Sequence, residues 1–152
     1  MCFPNKAPNE IEQIPASLLA GLSIEPIQVL LNEQAYFAIY QSTEQVQSVK
    51  ANNELLKKLA PYDVVVTAKA EESSEFDFIS RYFWPANGGD EDPVTGSIHT
   101  GLAPYWADKL NRNHLIAYQA SKRGGKLICK VKEDKFYISG QAVHYLTGQI
   151  SI

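Results

Sequence analysis

A chain of 152 residues with 45% hydrophobic and 20% charged side chains suits one folded domain, and excludes disorder, collagen and coiled coil. Its 14 basic and 17 acidic residues leave a formal charge of −3, without the cationic concentration of a nucleic-acid-binding face, so no nucleic-acid partner is expected. Cys2 and Cys129 stand near opposite ends outside any metal-ligand spacing, which fits a reduced protein with two ordinary thiols and no metal.

The first residues carry no apolar signal core, and the longest apolar runs, such as Val64–Val66, fall far short of the ~20 residues of a bilayer span. A soluble, cytoplasmic protein without a membrane partner is therefore expected. Pro4, Pro8 and Pro15 predict an extended lead-in, followed by a short helix over Ala16–Ala20 that Gly21 closes. Ile27–Leu31 and Ala35–Tyr40, separated by Asn32-Glu33-Gln34, predict an antiparallel hairpin. Ser42 with Gln45 forms a capping-box pattern, and Asn52-Asn53 caps a second short helix carrying Leu55, Leu56 and Leu59. Strands are expected over Asp63–Ala68 and Phe76–Phe83. In the latter, Phe76, Phe78 and Ser80 face one way and Asp77, Ile79 and Arg81 the other.

A Gly- and acid-rich loop at 87–93 leads to Ser97–Leu110, whose apolar residues cover nearly the whole helical circumference. Such a helix is buried on all sides. Pro104 either kinks it or marks the N1 position of a shorter helix. Four short strands are expected after it: Leu115–Ala120, Leu127–Lys132, Phe136–Ser139 and Ala142–Ile150. Many strands, few helices and one all-apolar helix predict a sheet wrapped around a central helix.

Asp92-Pro93-Val94-Thr95-Gly96-Ser97-Ile98-His99 is the one stretch built for ligand chemistry. A Gly-Ser pair at the start of a buried helix leaves free N–H groups at the positive end of the dipole. Gly96 admits a ligand to the backbone, the Ser97 hydroxyl adds a hydrogen bond, and the site favours a carboxylate, phosphate or enolate oxygen. Asp92 can accept a proton or hydrogen-bond a substrate amine or hydroxyl. The plainer alternative makes Thr95 or Ser97 an N-cap and Asp92 a dipole complement. His99 faces either the cleft or the barrel wall. His114 reads as solvated, His144 as packed on its strand, and Trp84 and Trp106 as core or lobe-interface residues. Asp90-Glu91-Asp92 lacks EF-hand spacing, and Lys122-Arg123-Gly124-Gly125-Lys126 lacks the Walker pattern and reads as a hairpin turn.

Glu91–His99, followed by Leu102-Ala103-Pro104-Tyr105-Trp106-Ala107, resembles the signature of the phenazine-biosynthesis PhzF-like isomerase family. Asp77–Phe83, Gln119–Gly125, Ser139–Val143 and Phe3-Pro4 resemble other segments of the same family in the same order. The resemblance implies an α+β fold like that of diaminopimelate epimerase, with a mixed, mostly antiparallel sheet rolled into a barrel around a central helix. Residues 1–152 would form a single domain equivalent to the C-terminal lobe of a two-lobed protein. It also implies cofactor-free proton-transfer isomerisation of a small carboxylate-bearing molecule. Asp92 would be a substrate-contacting or proton-assisting carboxylate, Gly96 and Ser97 the helix-end anion site, with His99 beside them. The family's principal base is a Glu of the N-terminal lobe, supported by a His there. No residue of this chain matches that Glu, and Glu91 does not substitute for it. A homodimer or a separate N-terminal lobe would then complete the site. The alternatives are a non-catalytic anion-binding or structural module, or an inactive fragment.

Overall fold

Branched and alternating runs become strands wherever they find a partner, and here one sheet takes nearly all of them. The computed structural model describes residues 1–150. Its elements are β1 (Cys2–Pro4), β2 (Asn9–Glu10), α1 (Ala16–Gly21), β3 (Gln28–Leu31), β4 (Ala35–Ile39), α2 (Thr43–Ser48), α3 (Asn53–Leu56), β5 (Asp63–Lys69), β6 (Phe78–Phe83), β7 (Glu91–Asp92), α4 (His99–Leu110), β8 (His114–Gln119), β9 (Gly125–Lys132) and β10 (Lys135–Gly140). The strands form one sheet in the order β1-β10-β9-β8-β6-β5-β4-β3-β2, with β7 paired to β6. The β4–β5 and β6–β8 pairs are parallel and the others antiparallel. A parallel pair needs a crossover. One carries α2 and α3, the other α4.

The two crossovers cover opposite faces. Phe78 and Tyr82 pack with Leu102, Ala103 and Trp106 of α4, whereas Ile79 and Phe83 pack with Leu18, Val46 and Leu56 of the three small helices. The two-residue alternation read from β6 thus assigns each side chain to its layer. The caps form as their residue types dictate. Ser42 Oγ accepts from Gln45 N–H at 3.4 Å and Asn52 Oδ1 from Leu55 N–H at 3.3 Å. Gly21 has a different role from the expected cap. It is the last residue of α1, and a Cβ there would lie 2.5 Å from Leu56 Cδ2, so glycine lets α1 approach α3.

Helix α4 is buried as its apolar circumference predicts, from His99 to Pro104 and again at Trp106 and Ala107. It continues through Pro104 instead of starting there. The missing Pro104 N–H leaves the Thr100 carbonyl without its intrahelical donor. That carbonyl instead accepts the Lys6 N–H at 3.0 Å, from the segment linking β1 to β2. The Lys6 carbonyl in turn accepts from Asn32 Nδ2 at 2.9 Å. Gly101 completes the docking, since a Cβ there would lie 2.6 Å from Phe37 Cζ and 3.1 Å from the Lys6 carbonyl oxygen. Gly101→Ala should therefore destabilise by about 1–3 kcal/mol, against the gain of about 1 kcal/mol that alanine brings to an open helix interior. Urea unfolding measures the sign, and a stabilised variant would contradict this close packing.

Other expectations fail. The sheet wraps α4 but is not closed into a barrel. Its edges are β1 and β2, and the segment between them, bounded by Pro4 and Pro8 without N–H donors, bonds to the Asp134 and Thr100 carbonyls instead of making a ladder. The strand expected over Ala142–Ile150 is also absent. β10 is already paired on both sides, to β9 and β1, so residues 141–150 have no free edge beside it and are exposed. His144, expected to pack, is exposed with them, its Nε2 3.0 Å from the Leu146 carbonyl and 2.9 Å from the Thr147 hydroxyl. Among the described residues no helix is long and apolar enough to cross a membrane.

Candidate functional site

The carboxyl end of β6, the amino end of β5, the β3–β4 turn and the start of α4 meet at one end of the sheet. Asp92, Gly96 and Ser97 arrive there on a loop held at several points. Asp92 pairs with Tyr82 across β6–β7. The Gln119 amide bridges the loop, donating to the Asp92 carbonyl at 2.7 Å and accepting the Thr95 N–H at 2.8 Å. The Ser121 hydroxyl donates to the Pro93 carbonyl at 2.6 Å. Asp92 Oδ1 accepts the Val94 N–H at 2.9 Å, an Asx turn that fixes the carboxylate against its own loop.

The N-cap alternative does not hold. Ile98 occupies the N-cap position of α4, with no side-chain cap bond. Ser97 is exposed and its hydroxyl lies 3.0 Å from Gln34 Nε2, while its carbonyl takes the Thr100 hydroxyl at 2.7 Å. The N–H groups of Gly96, Ser97 and Ile98 find no acceptor among the described residues, and the position a Gly96 Cβ would take has nothing within 4 Å. An open patch of backbone donors at the positive end of a buried 12-residue helix has the chemistry to take an oxyanion.

His99 is inside. It is fully buried, tilted against Phe78 with ring centroids 6.0 Å apart, and its Nδ1 is 2.8 Å from the Thr95 carbonyl. A carbonyl only accepts, so Nδ1 carries the hydrogen. Nε2 has no partner. Burial pulls the imidazole down to about 4, the Thr95 carbonyl opposing, so the ring is neutral at physiological pH. It supports the loop from beneath.

Gln34, Tyr82 and Asp63 join the site without any sequence signal. Gln34 Nε2 lies 2.9 Å from Tyr82 Oη as well as 3.0 Å from Ser97 Oγ, and Tyr82 Oη lies 2.5 Å from Asp63 Oδ2. Burial first, then the Asp63 carboxylate that it donates to, pushes the Tyr82 phenol well above its ordinary range. Glu91 faces away and forms a two-point pair with Arg81. Gly124, at φ 72°, turns the Lys122–Lys126 segment into the expected hairpin. His114 is exposed at the start of β8, Trp106 is buried in the core, and Trp84 packs against its edge.

This α+β fold, with one helix packed into a mostly antiparallel sheet, is the fold of a known group of solved proteins. A phenazine biosynthesis PhzC/PhzF protein from Clostridium difficile superposes with a TM-score of 0.85 at 38% identity, over 100% of this chain and 57% of that one. A phenazine biosynthesis protein of the PhzF family from Enterococcus faecalis gives 0.84 at 37% identity, over 92% of this chain and 52% of that one. The chain belongs to the PhzC-PhzF family of phenazine biosynthesis-like proteins, whose profile matches residues 4–148. An isomerase of Halalkalibacterium halodurans, known only by that class, is 43% identical over 97% of this chain and 56% of its own length. Another from Pseudomonas aeruginosa is 39% identical over 100% of this chain and 57% of its own. The chain thus spans little more than half the length of these relatives.

Proposed function

We propose that this chain is the substrate-anchoring lobe, equivalent to the C-terminal lobe of a two-lobed protein, of a cofactor-free isomerase that moves a proton on a small carboxylate-bearing molecule. The observation that carries the reading is the unpartnered N–H row of Gly96, Ser97 and Ile98. It faces open space at Gly96 and is held beside Asp92 by the Gln119 bridge. Those donors take the carboxylate, and the Ser97 hydroxyl adds to them. Asp92 contacts the substrate or assists the proton's movement. The base that removes the proton comes from a second lobe, or from a second copy arranged about a two-fold axis.

The isomerase names of the relatives support the reaction class. Solvent deuterium incorporation into candidate carbon acids tests it, with the chain alone and mixed with an N-terminal lobe from a full-length relative. Exchange above background in either arm is expected, and its absence from both overturns the catalytic reading. Small carboxylates should also raise the melting temperature of the chain. Ser97→Ala should weaken their binding roughly tenfold or more, the effect of one hydrogen bond to a charged group. Stabilisation without exchange would identify a non-catalytic anion-binding module instead.

A further inference from the structure

We propose that Gln34 is a positioning residue that fixes the direction of the Ser97 hydroxyl, so that Ser97 donates to the bound anion. The inference rests on the anion-site reading above and adds how the serine hydroxyl is turned towards an acceptor ligand.

The directions follow from counting hydrogens. A carboxylate only accepts. Tyr82 has one hydroxyl hydrogen, and at 2.5 Å from Asp63 Oδ2 it is spent there. Asp63 is held for this by Asn87 Nδ2, which donates to Oδ1 at 2.8 Å and to the Pro61 carbonyl at 3.2 Å. Tyr82 Oη therefore faces Gln34 with lone pairs alone, and the Gln34 atom 2.9 Å away must be the amide nitrogen. One amide hydrogen serves Tyr82. The other points at Ser97 Oγ, 3.0 Å away, and makes that oxygen an acceptor. Ser97 keeps its own hydrogen unspent beside the open space over Gly96.

Gln34 is poised to do this because its backbone is pinned on both sides. Its N–H donates to Asn32 Oδ1 at 2.9 Å and its carbonyl accepts the Asp63 N–H at 3.1 Å. A wired chain from Asn87 through Asp63, Tyr82 and Gln34 thus ends on Ser97. Without it a serine hydroxyl rotates freely and receives a cation's N–H as readily as it donates to an anion. With it, the hydroxyl joins the Gly96, Ser97 and Ile98 N–H groups as one more donor to the bound anion.

Binding of oxamate, whose carboxylate stays ionised between about pH 5 and pH 8, to the folded chain at 25 °C tests the inference by calorimetric titration. Gln34→Glu puts an acceptor where the donor stood and draws the Ser97 hydrogen inward. Affinity should fall roughly tenfold or more at pH 8 and recover as the introduced carboxyl is protonated towards pH 5, while the native chain shows no such recovery. Tyr82→Phe frees the amide to turn and should weaken binding roughly threefold to tenfold. In the Ser97→Ala background it should have no further effect, because it acts through Ser97. If the native chain binds oxamate and Ser97→Ala impairs it, but neither Gln34→Glu nor Tyr82→Phe changes affinity, the positioning role is overturned and the anion site stands. Full additivity of Tyr82→Phe with Ser97→Ala overturns it equally. If the native chain does not bind oxamate at all, both readings fall together.

Discussion

Arg81→Met should destabilise the protein by about 2–3 kcal/mol, the cost of leaving a largely buried carboxylate and a helix end without their charged donor. Arg81 lies on the β6 face covered by the small helices, with its side chain only 15% exposed, and Glu91 opposite is 24% exposed. Its Nε and Nη2 bind the two Glu91 oxygens at 2.7 and 3.0 Å. Its Nη1 reaches the carbonyls of Val46, Gln47 and Val49 at 3.2, 3.2 and 2.8 Å, where α2 ends and its last carbonyls lack intrahelical donors. The planar fork joins three elements that no lysine could hold in the same way. Methionine matches the stem but leaves a largely buried carboxylate and a helix end without their donor. Glu91→Gln keeps an acceptor in place and should cost about 1–2 kcal/mol. Urea midpoints at constant m-value give both numbers. An Arg81→Met loss below that of Glu91→Gln would mean that the guanidinium does not hold α2. Because Glu91 precedes Asp92 on β7, the variant should also loosen the anion site.

The readable parts of the molecule are those whose cause is local. A two-residue period places Phe78 and Ile79 in different layers, Ser42 and Asn52 announce their caps, and an apolar circumference announces a helix with no solvent face. The candidate site is legible for the same reason, since Asp92, Gly96 and Ser97 fall within six consecutive residues. What escapes is set by partners distant in the chain. Nothing near Gln34 announces a serine 63 residues away, and the polar Asn32-Glu33-Gln34 turn looks like any hairpin loop. Pro104 is ambiguous until the Lys6 N–H is found on the Thr100 carbonyl. Ala142–Ile150 reads as one more short strand, but pairing needs a free edge, and β1 already occupies the one beside β10.

His99 should make the protein acid-sensitive well above the pH at which most carboxylates protonate. An ordinary imidazole takes a proton near 6.5 and this one, pulled down by burial, only near 4. As pH falls below 6.5 the unfolded chain binds a proton that the folded chain refuses, so stability drops throughout that window and levels off below 4. At about 1.4 kcal/mol per pKa unit, the full loss is on the order of 3 kcal/mol. The structural cause is specific. Nδ1–H is committed to the Thr95 carbonyl, and a proton on Nε2 would be a buried donor with no acceptor. His99→Gln removes the titration, so its stability relative to the native chain should improve steadily from pH 7 to pH 4.5 in urea unfolding. A difference between the two that stays constant with pH would show that the imidazole is not held neutral. Thr95 also gives its N–H to Gln119, which grips Asp92. A proton on the folded-state His99, taken up only near pH 4, would disturb the loop that presents Gly96 and Ser97. The carboxylate affinity of the folded chain should therefore hold through the window in which the fold loses stability and weaken only near pH 4.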